Sequence, residues 1–163
     1  YERGLCTLAR EQAGGFEALL RWHHPEEGLI SPAEFIPLAE ETGLIAPIGE
    51  WTLRQACADA AQWPKGIKVA VNLSAAQFRF GNVRQAVISA LGTSRLMPHD
   101  LELEVTESVL LEERAEVAET LNRLHDIGVR IALDDFGTVY STLSYLQHFP
   151  FDKIKIDRSF ITL

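Results

Sequence analysis

The sequence has few cysteines and no long hydrophobic run. Cys6 and Cys57 are its two cysteines, and they lie far apart with no CxxC pairing. This spacing predicts neither a disulfide framework nor a zinc site, so we expect reduced thiols. No apolar run approaches the ~20 residues of a membrane-spanning helix, and the N-terminus lacks the hydrophobic region of a signal peptide. These features favour a soluble chain in the cytoplasm, with no membrane contact from this segment.

Positive charge is also scarce. The chain has 15 lysines and arginines against 23 aspartates and glutamates, which gives a net charge of -8. A nonspecific binder of nucleic-acid polymers would need a basic surface, so that class is excluded. An anionic ligand would need cations between itself and the protein. The 163 residues, of which 47% are hydrophobic, are typical of one globular domain, and we take residues 1–163 as that domain.

The apolar residues that are present form short segments typical of strands. Five such segments, mostly rich in Val, Ile or Leu, are predicted as strands over residues 16–22, 68–74, 101–107, 130–136 and 152–157. Several are almost continuously apolar, as strands covered on both faces are. A further strand is possible within residues 1–12.

Helices are predicted in the gaps between these strands. They cover residues 32–42 and 48–62, a segment that starts at the capping box Ser74–Gln77, and a segment around residues 117–124 that Gly128 ends. Strict alternation of strands and helices indicates parallel strands joined by right-handed crossovers, and hence an α/β fold.

Polar residues favour a closed barrel over an open doubly wound sheet. They lie in or at the C-terminal half of successive predicted strands: Glu17, Asn72, Glu104, Glu107, Asp134, Asp135, Lys155 and Asp157. Sites built from the same end of many strands are typical of a (β/α)₈ barrel, whereas an open sheet concentrates its site at one switch point. A barrel usually needs roughly 200 residues or more, so we expect this chain to hold only part of one.

The acidic residues of this set favour a hard cation. Neighbouring carboxylates repel one another unless a positive charge lies between them, and oxygen ligands favour Mg²⁺, Mn²⁺ or Ca²⁺ over zinc. Asp134 and Asp135 can both reach one site where a strand ends. An isolated Asp-Asp pair is more often a solvated turn, but solvation does not explain polar residues at the same end of several strands. Two metal ions with Lys155 nearby would suit phosphodiester hydrolysis.

These residues occur in segments that resemble a known family. The segments "FEALLRW", "VNLS", "LELEVTES", "LDDFGTVYSTLSYL" and "IKIDRSFI" resemble, in this order, the EAL domain, a bacterial phosphodiesterase that hydrolyses cyclic di-GMP to linear pGpG. The resemblance implies a modified (β/α)₈ TIM-like barrel that binds two Mg²⁺ or Mn²⁺ ions. It also implies a homodimer and a bacterial cytoplasmic location, within a larger signalling protein that can itself be membrane-anchored.

The resemblance also implies a role for each site residue. The metal ligands by motif are Glu17, Asn72, Glu104, Asp134 and Asp135, and Glu17 and Asp135 are counted with Lys155 as catalytic. Lys155 matches the lysine near the nucleophilic water. Arg21 matches a residue that approaches the substrate phosphate, and Asp157 lies at the same site. Glu107 matches the anchor of the regulatory loop that contains Gly137 and Val139.

The sequence departs from the family pattern in three places. Val139 and Thr142 stand where the family usually has glycine and serine, and a β-branched residue would strain the loop if that position needs a positive φ. The start, Tyr1-Glu2-Arg3, does not match the family's Tyr-Gln-Pro, and the sequence stops before the family's last two strands. We therefore expect weak or no activity from this segment alone. The alternatives are a cyclic di-GMP receptor and a dimerisation or interaction module.

Overall fold

A computed structural model of the chain describes residues 2–6, 13–111, 114–137 and 149–157. The strands are β1 Glu2–Cys6, β2 Ala13–Ala18, β3 Trp22–His24, β4 Gly28–Ile30, β5 Lys68–Leu73, β6 Leu101–Thr106, β7 Arg130–Phe136 and β8 Lys153–Ile156. The α-helices are α1 Pro32–Glu41, α2 Ile45–Ala60, α3 Ala75–Phe80, α4 Val83–Ser94, α5 Glu107–Leu111 and α6 Arg114–Asp126, and a 3₁₀ turn covers Pro98–Asp100.

The main sheet has the strand order β1-β2-β5-β6-β7-β8 within the described residues. Strands β2, β5, β6, β7 and β8 pair in parallel with their neighbours, and they curl into half of a barrel. The predicted α/β barrel class is therefore confirmed. The one departure from a parallel sheet is β1, which runs antiparallel to β2. Strict alternation of strands and helices predicts only parallel neighbours, so it does not predict this pair.

The outer face of the sheet carries the hydrophobic core. On β6, Leu101, Leu103 and Val105 are fully buried and belong to this core. The core also contains one stripe from each covering helix, represented by Leu53 of α2, Val87 of α4 and Leu121 and Leu124 of α6. Burial of this apolar surface supplies most of the stabilisation, at about 25 cal/mol per Å². The opposite face of the strands is thereby left for other chemistry.

Two predicted boundaries differ from the structure. The strand predicted over residues 16–22 ends at Ala18, and Trp22 begins a separate two-stranded hairpin, β3–β4. A turn at residues 25–27, followed by Gly28 with φ of +76°, reverses the chain there, and apolar content alone does not reveal that turn. The helix predicted over residues 48–62 is α2, which spans Ile45–Ala60.

A close approach between α2 and α3 sets the position of the β5 end. Gln77 is buried, and its Oε1 accepts a hydrogen bond of 2.9 Å from the backbone N–H of Ser74. A Cβ at Gly49 would lie 1.9 Å from Gln77 Nε2, so a side chain at this point of α2 would displace the amide group of Gln77. The predicted capping pair thus fixes the chain directly after β5. In the part of the chain that the structure describes, no helix is both long and apolar enough to cross a membrane.

Candidate functional site

The carboxyl ends of the parallel strands bring the predicted polar residues together on the inner face of the half-barrel. Glu17 of β2 and Asn72 of β5 are in direct contact, since Asn72 Nδ2 donates a 2.6 Å hydrogen bond to Glu17 Oε1. The two strands pair in parallel, with Glu17 opposite Ala70. Ala70 is the inward-facing residue of β5 that precedes Asn72. The small side chain at Ala70 leaves room for Glu17 to rise to the level of Asn72.

Lys155 joins the next two strands across the same face. Its Nζ donates to Glu104 Oε2 at 2.6 Å and to Asp134 Oδ2 at 3.1 Å. Glu104 lies on β6, Asp134 on β7 and Lys155 on β8, so a single ammonium group connects three strands. The predicted cluster of Glu104, Asp134 and Lys155 is therefore present, and the lysine lies between the two carboxylates.

Glu104 is the most buried charged group of the site, with 1% of its surface exposed. Burial raises the pKa of its carboxyl group, the charges of Glu17 and Asp134 act in the same direction, and Lys155 acts against them. The second oxygen, Oε1, is buried and has no hydrogen-bond partner among the described residues. A buried carboxylate oxygen of this kind is costly unless a positive group binds it. A hard cation therefore fits at Glu104.

The protonation of Lys155 follows from the same contacts. Burial disfavours its ammonium form, but the hydrogen bonds and charges of Glu104 and Asp134 outweigh burial, and the pKa of Lys155 is raised. Lys155 is therefore charged at neutral pH. It can donate hydrogen bonds and stabilise negative charge, and it is unsuited to act as a general base.

Asp135 lies at the turn that ends β7. Its φ of +53° is in the left-handed region, which aspartate tolerates better than most residues. Its N–H donates a 3.0 Å hydrogen bond to Asp134 Oδ1. This turn breaks the strand alternation that would place the two side chains on opposite faces. Burial, followed by the charges of Asp134 and Asp157, raises the pKa of Asp135, which indicates that these acids share one negative environment.

Glu107 contacts the start of the loop that follows β7. The Oε1 atom of this buried side chain accepts a 2.9 Å hydrogen bond from the N–H of Gly137. Gly137 has a φ of +103°, where a side chain would be strained. This contact extends as far as Gly137, and the role of Glu107 as anchor of the loop remains a prediction. Val139 and Thr142, the predicted departures in this loop, lie outside the described residues.

A cavity of about 410 Å³ opens beside Asn72. Arg21 lines it and brings a positive charge to its wall, and Thr106 and Ser108 contribute a pair of hydroxyls whose oxygens are 2.7 Å apart. Ser74 also lines the cavity. Sequence reasoning missed Ser74, Thr106 and Ser108, although each lies at the end of a strand that carries a predicted site residue or within two residues of that end.

The carboxylates are not gathered into a ready ligand set. Across the described ranges, no three histidine, cysteine, aspartate or glutamate side chains lie close enough together to hold a metal ion. The reason is visible in the contacts, because Lys155 lies between Glu104 and Asp134 while Asn72 binds Glu17. The roles of individual residues as metal ligands remain predictions.

Comparison with known sequences identifies the family. The EAL domain profile matches residues 5–163. The chain is 48% identical to the bifunctional diguanylate cyclase/cyclic di-GMP phosphodiesterase MucR of Pseudomonas aeruginosa, over 90% of this chain and 22% of that protein. It is 44% identical to the cyclic di-GMP phosphodiesterase PA2567 of the same organism, over 96% of this chain and 26% of that protein. The chain thus spans about a quarter of these curated relatives.

A solved structure agrees with this result. The MucR phosphodiesterase in complex with c-di-GMP superposes with a TM-score of 0.86 at 47% sequence identity, and the match covers 92% of this chain and 62% of that one. By sequence and by fold, the chain belongs to the EAL domain family.

Proposed function

We propose that these residues belong to a domain that hydrolyses cyclic di-GMP to linear pGpG with the help of two Mg²⁺ or Mn²⁺ ions. The observation that carries the proposal is the Glu104–Lys155–Asp134 cluster beside the contact of Glu17 with Asn72. The relatives whose names include this activity, and the neighbour bound to c-di-GMP, supply the substrate.

The cations would bind to Glu17, Asn72, Glu104, Asp134 and Asp135. They would polarise the phosphoryl oxygens and lower the pKa of a water molecule. The partnerless Oε1 of Glu104 supports this assignment among the described residues. Asn72 adds a carbonyl oxygen without adding charge, which limits repulsion among the four acids.

The remaining residues bind and orient the reactants. Arg21, on the wall of the neighbouring cavity, is suited to hold a phosphate of the dinucleotide. Lys155, charged and held by two carboxylates, orients the attacking water and stabilises the negative charge that develops on the phosphoryl group. Water oxygen bonds to phosphorus, the bond from phosphorus to the 3′ oxygen breaks, and that oxygen takes up a proton. The product carries a free 3′ hydroxyl and a 5′ phosphate.

The test measures pGpG formation by the protein in which these 163 residues occur. Cyclic di-GMP is incubated with the protein and Mg²⁺ or Mn²⁺, and the products are separated by chromatography. We expect pGpG from the natural protein and none from an Asp134→Asn variant, because that change removes a carboxylate from the site. An Asp134→Asn variant that hydrolyses at the natural rate would contradict the site assignment.

The same experiment addresses the alternatives. Tight binding of cyclic di-GMP without conversion to pGpG would show that the domain is a receptor and not an enzyme. If the nucleotide neither binds nor reacts, an interaction or dimerisation module is the better description. The retained carboxylates and Lys155 favour the enzyme, since a receptor needs neither to bind a dinucleotide. We also propose that the protein is a homodimer, on the basis of the family resemblance.

A further inference from the structure

A second ion pair lies directly below Lys155 on the same inner face. Lys153 Nζ donates a 2.7 Å hydrogen bond to Glu102 Oε1. Glu102 has only 6% of its side chain exposed, and Lys153 has 31%. This pair has the same strand origins as the pair above it, because both glutamates lie on β6 and both lysines on β8. The function proposed above does not use it.

Both lysines have to cross β7 to reach their partners. The register places Glu104, Ala132 and Lys153 in one row across the three strands, and Glu102 opposite Arg130 in the row below. Ala132 is fully buried and has only a Cβ beyond its backbone. Its small side chain leaves the space over β7 through which Lys153 reaches Glu102. A larger residue at this position would fill that space.

The backbone ladder by itself does not fix Lys155. Pairing between β7 and β8 is regular at Ala132–Lys153 and Leu133–Ile154, and then shifts before Phe136–Ile156. Lys155 lies within this irregular part. Its side chain nevertheless has to meet two carboxylates on two other strands.

The start of β8, by contrast, is firmly fixed. The Asp152 N–H donates to the Ile131 carbonyl at 2.9 Å, and Asp152 Oδ2 accepts from the Ile131 N–H at 2.8 Å. Lys153 follows at once and is bound to Glu102. The fixed segment therefore ends at Lys153. Lys155 is two residues further on, and it is the next residue on the same face of the strand.

We propose that the Glu102–Lys153 ion pair positions Lys155 for the reaction, and that Ala132 provides the gap this pair requires. The inference rests on the proposed hydrolysis of cyclic di-GMP. Lys153 and Glu102 are positioning residues, since neither contacts the reacting groups. The pair holds β8 at the height that places Lys155 Nζ between Glu104 and Asp134, where regular backbone pairing is lost.

Arg130 makes the proposal testable without loss of the fold. Its Nε lies 3.9 Å from Glu102 Oε2, and one of its terminal nitrogens lies 3.7 Å from Asp152. If Lys153 is replaced by methionine, Arg130 still offers Glu102 a positive charge. A Glu102→Gln/Lys153→Met double variant removes the buried charge as well, and such replacements are often neutral for stability.

The experiment compares kcat and KM for Lys153→Met, the double variant and Lys153→Arg. We expect kcat to fall about 10- to 100-fold in the first two, as a displaced catalytic group would produce, with KM changed less than about twofold. Lys153→Arg should restore most of kcat because it keeps the charge and the reach. The control is Arg54→Met, which removes an exposed pair with Glu50 on α2 and should leave kcat unchanged.

The double variant separates positioning from stability. A normal kcat in a folded double variant would overturn the proposal and leave the pair a structural one. Crystal structures of the natural protein and of Lys153→Met give a readout without activity, and we expect Lys155 Nζ to leave hydrogen-bonding distance of Asp134 in the variant. If the natural protein makes no pGpG, the proposed function fails, whereas an unmoved Lys155 in the variant overturns this inference alone.

Discussion

The two faces of strand β6 have opposite compositions. Outward, Leu101, Leu103 and Val105 are fully buried against the helices. Inward, Glu102 and Glu104 are almost as buried, but each is bound to a lysine of β8. Alternate residues of a strand point to opposite faces, so six consecutive residues serve both purposes.

The comparison shows how a buried cluster of charges is stabilised. Paired charges in a protein interior contribute little net stability, because desolvation offsets their attraction. The apolar residues that alternate with these charged residues along the strand provide the free energy of folding. The inner face can therefore hold groups for chemistry. We expect substitutions on the two faces to separate cleanly into losses of activity and losses of stability.

The largest expected effect is on the inner face. Glu104→Gln should lower the rate of cyclic di-GMP hydrolysis at least about 100-fold, because the buried carboxylate that binds Lys155 loses its charge. Product chromatography measures the rate, and circular dichroism with urea measures the free energy of unfolding. Glu116→Gln, at an exposed position of α6, is the control. An active Glu104→Gln variant would show that the inner face is only structural.

The next effect is on the outer face. Leu103→Ala should lower the free energy of unfolding by about 3 kcal/mol, through lost transfer energy and an unfilled cavity. Urea unfolding measures the loss, and Leu38→Ala, at an exposed position, should change stability by less than about 0.5 kcal/mol. The hydrolysis rate per folded molecule should stay unchanged. A fall in that rate would mean that the two faces are not independent.

A smaller effect is expected at the loop anchor. Glu107→Ala removes the acceptor for the Gly137 N–H, and a hydrogen bond to a charged group contributes about 1.5–3 kcal/mol. If this bond holds the loop in its active position, kcat should fall about tenfold. Glu107→Gln keeps an acceptor oxygen and should retain most of the activity. Equal losses in the two variants would point to the charge of Glu107 instead of its hydrogen bond.

The smallest effect concerns Cys57 on the outer, apolar side. Burial raises the pKa of its thiol to about 12, from 9.0 for an unperturbed thiol. Between these values the folded protein holds a proton that the unfolded chain has lost, so this residue lowers stability as pH rises through that window. At pH 9, we expect slow alkylation of Cys57 in the native protein and rapid alkylation in urea, as measured by peptide mass spectrometry. Rapid native alkylation would contradict the burial.

Much of the site was predictable because the strand ends are visible in the sequence. Glu17, Asn72, Glu104 and Asp134 follow or interrupt apolar segments, and parallel strands bring such positions to one edge. The hydroxyls of Thr106 and Ser108 escaped prediction, since serine and threonine at a strand end are equally common in ordinary turns. The antiparallel β1 escaped prediction because the parallel direction was inferred from the alternation of strands and helices, and that inference assigns the same direction to every strand.

The sequence alone determined which residues carry charge, which face of each strand is apolar, and to which family its motifs point. These properties depend on residue type and on spacing along the chain, and both are local. Only the tertiary structure decided that Lys155 lies between Glu104 and Asp134, and that Lys153 reaches Glu102 over Ala132. Each of these contacts joins strands whose relative height is set by the packing of helices and by the registers of two ladders, which no single segment encodes.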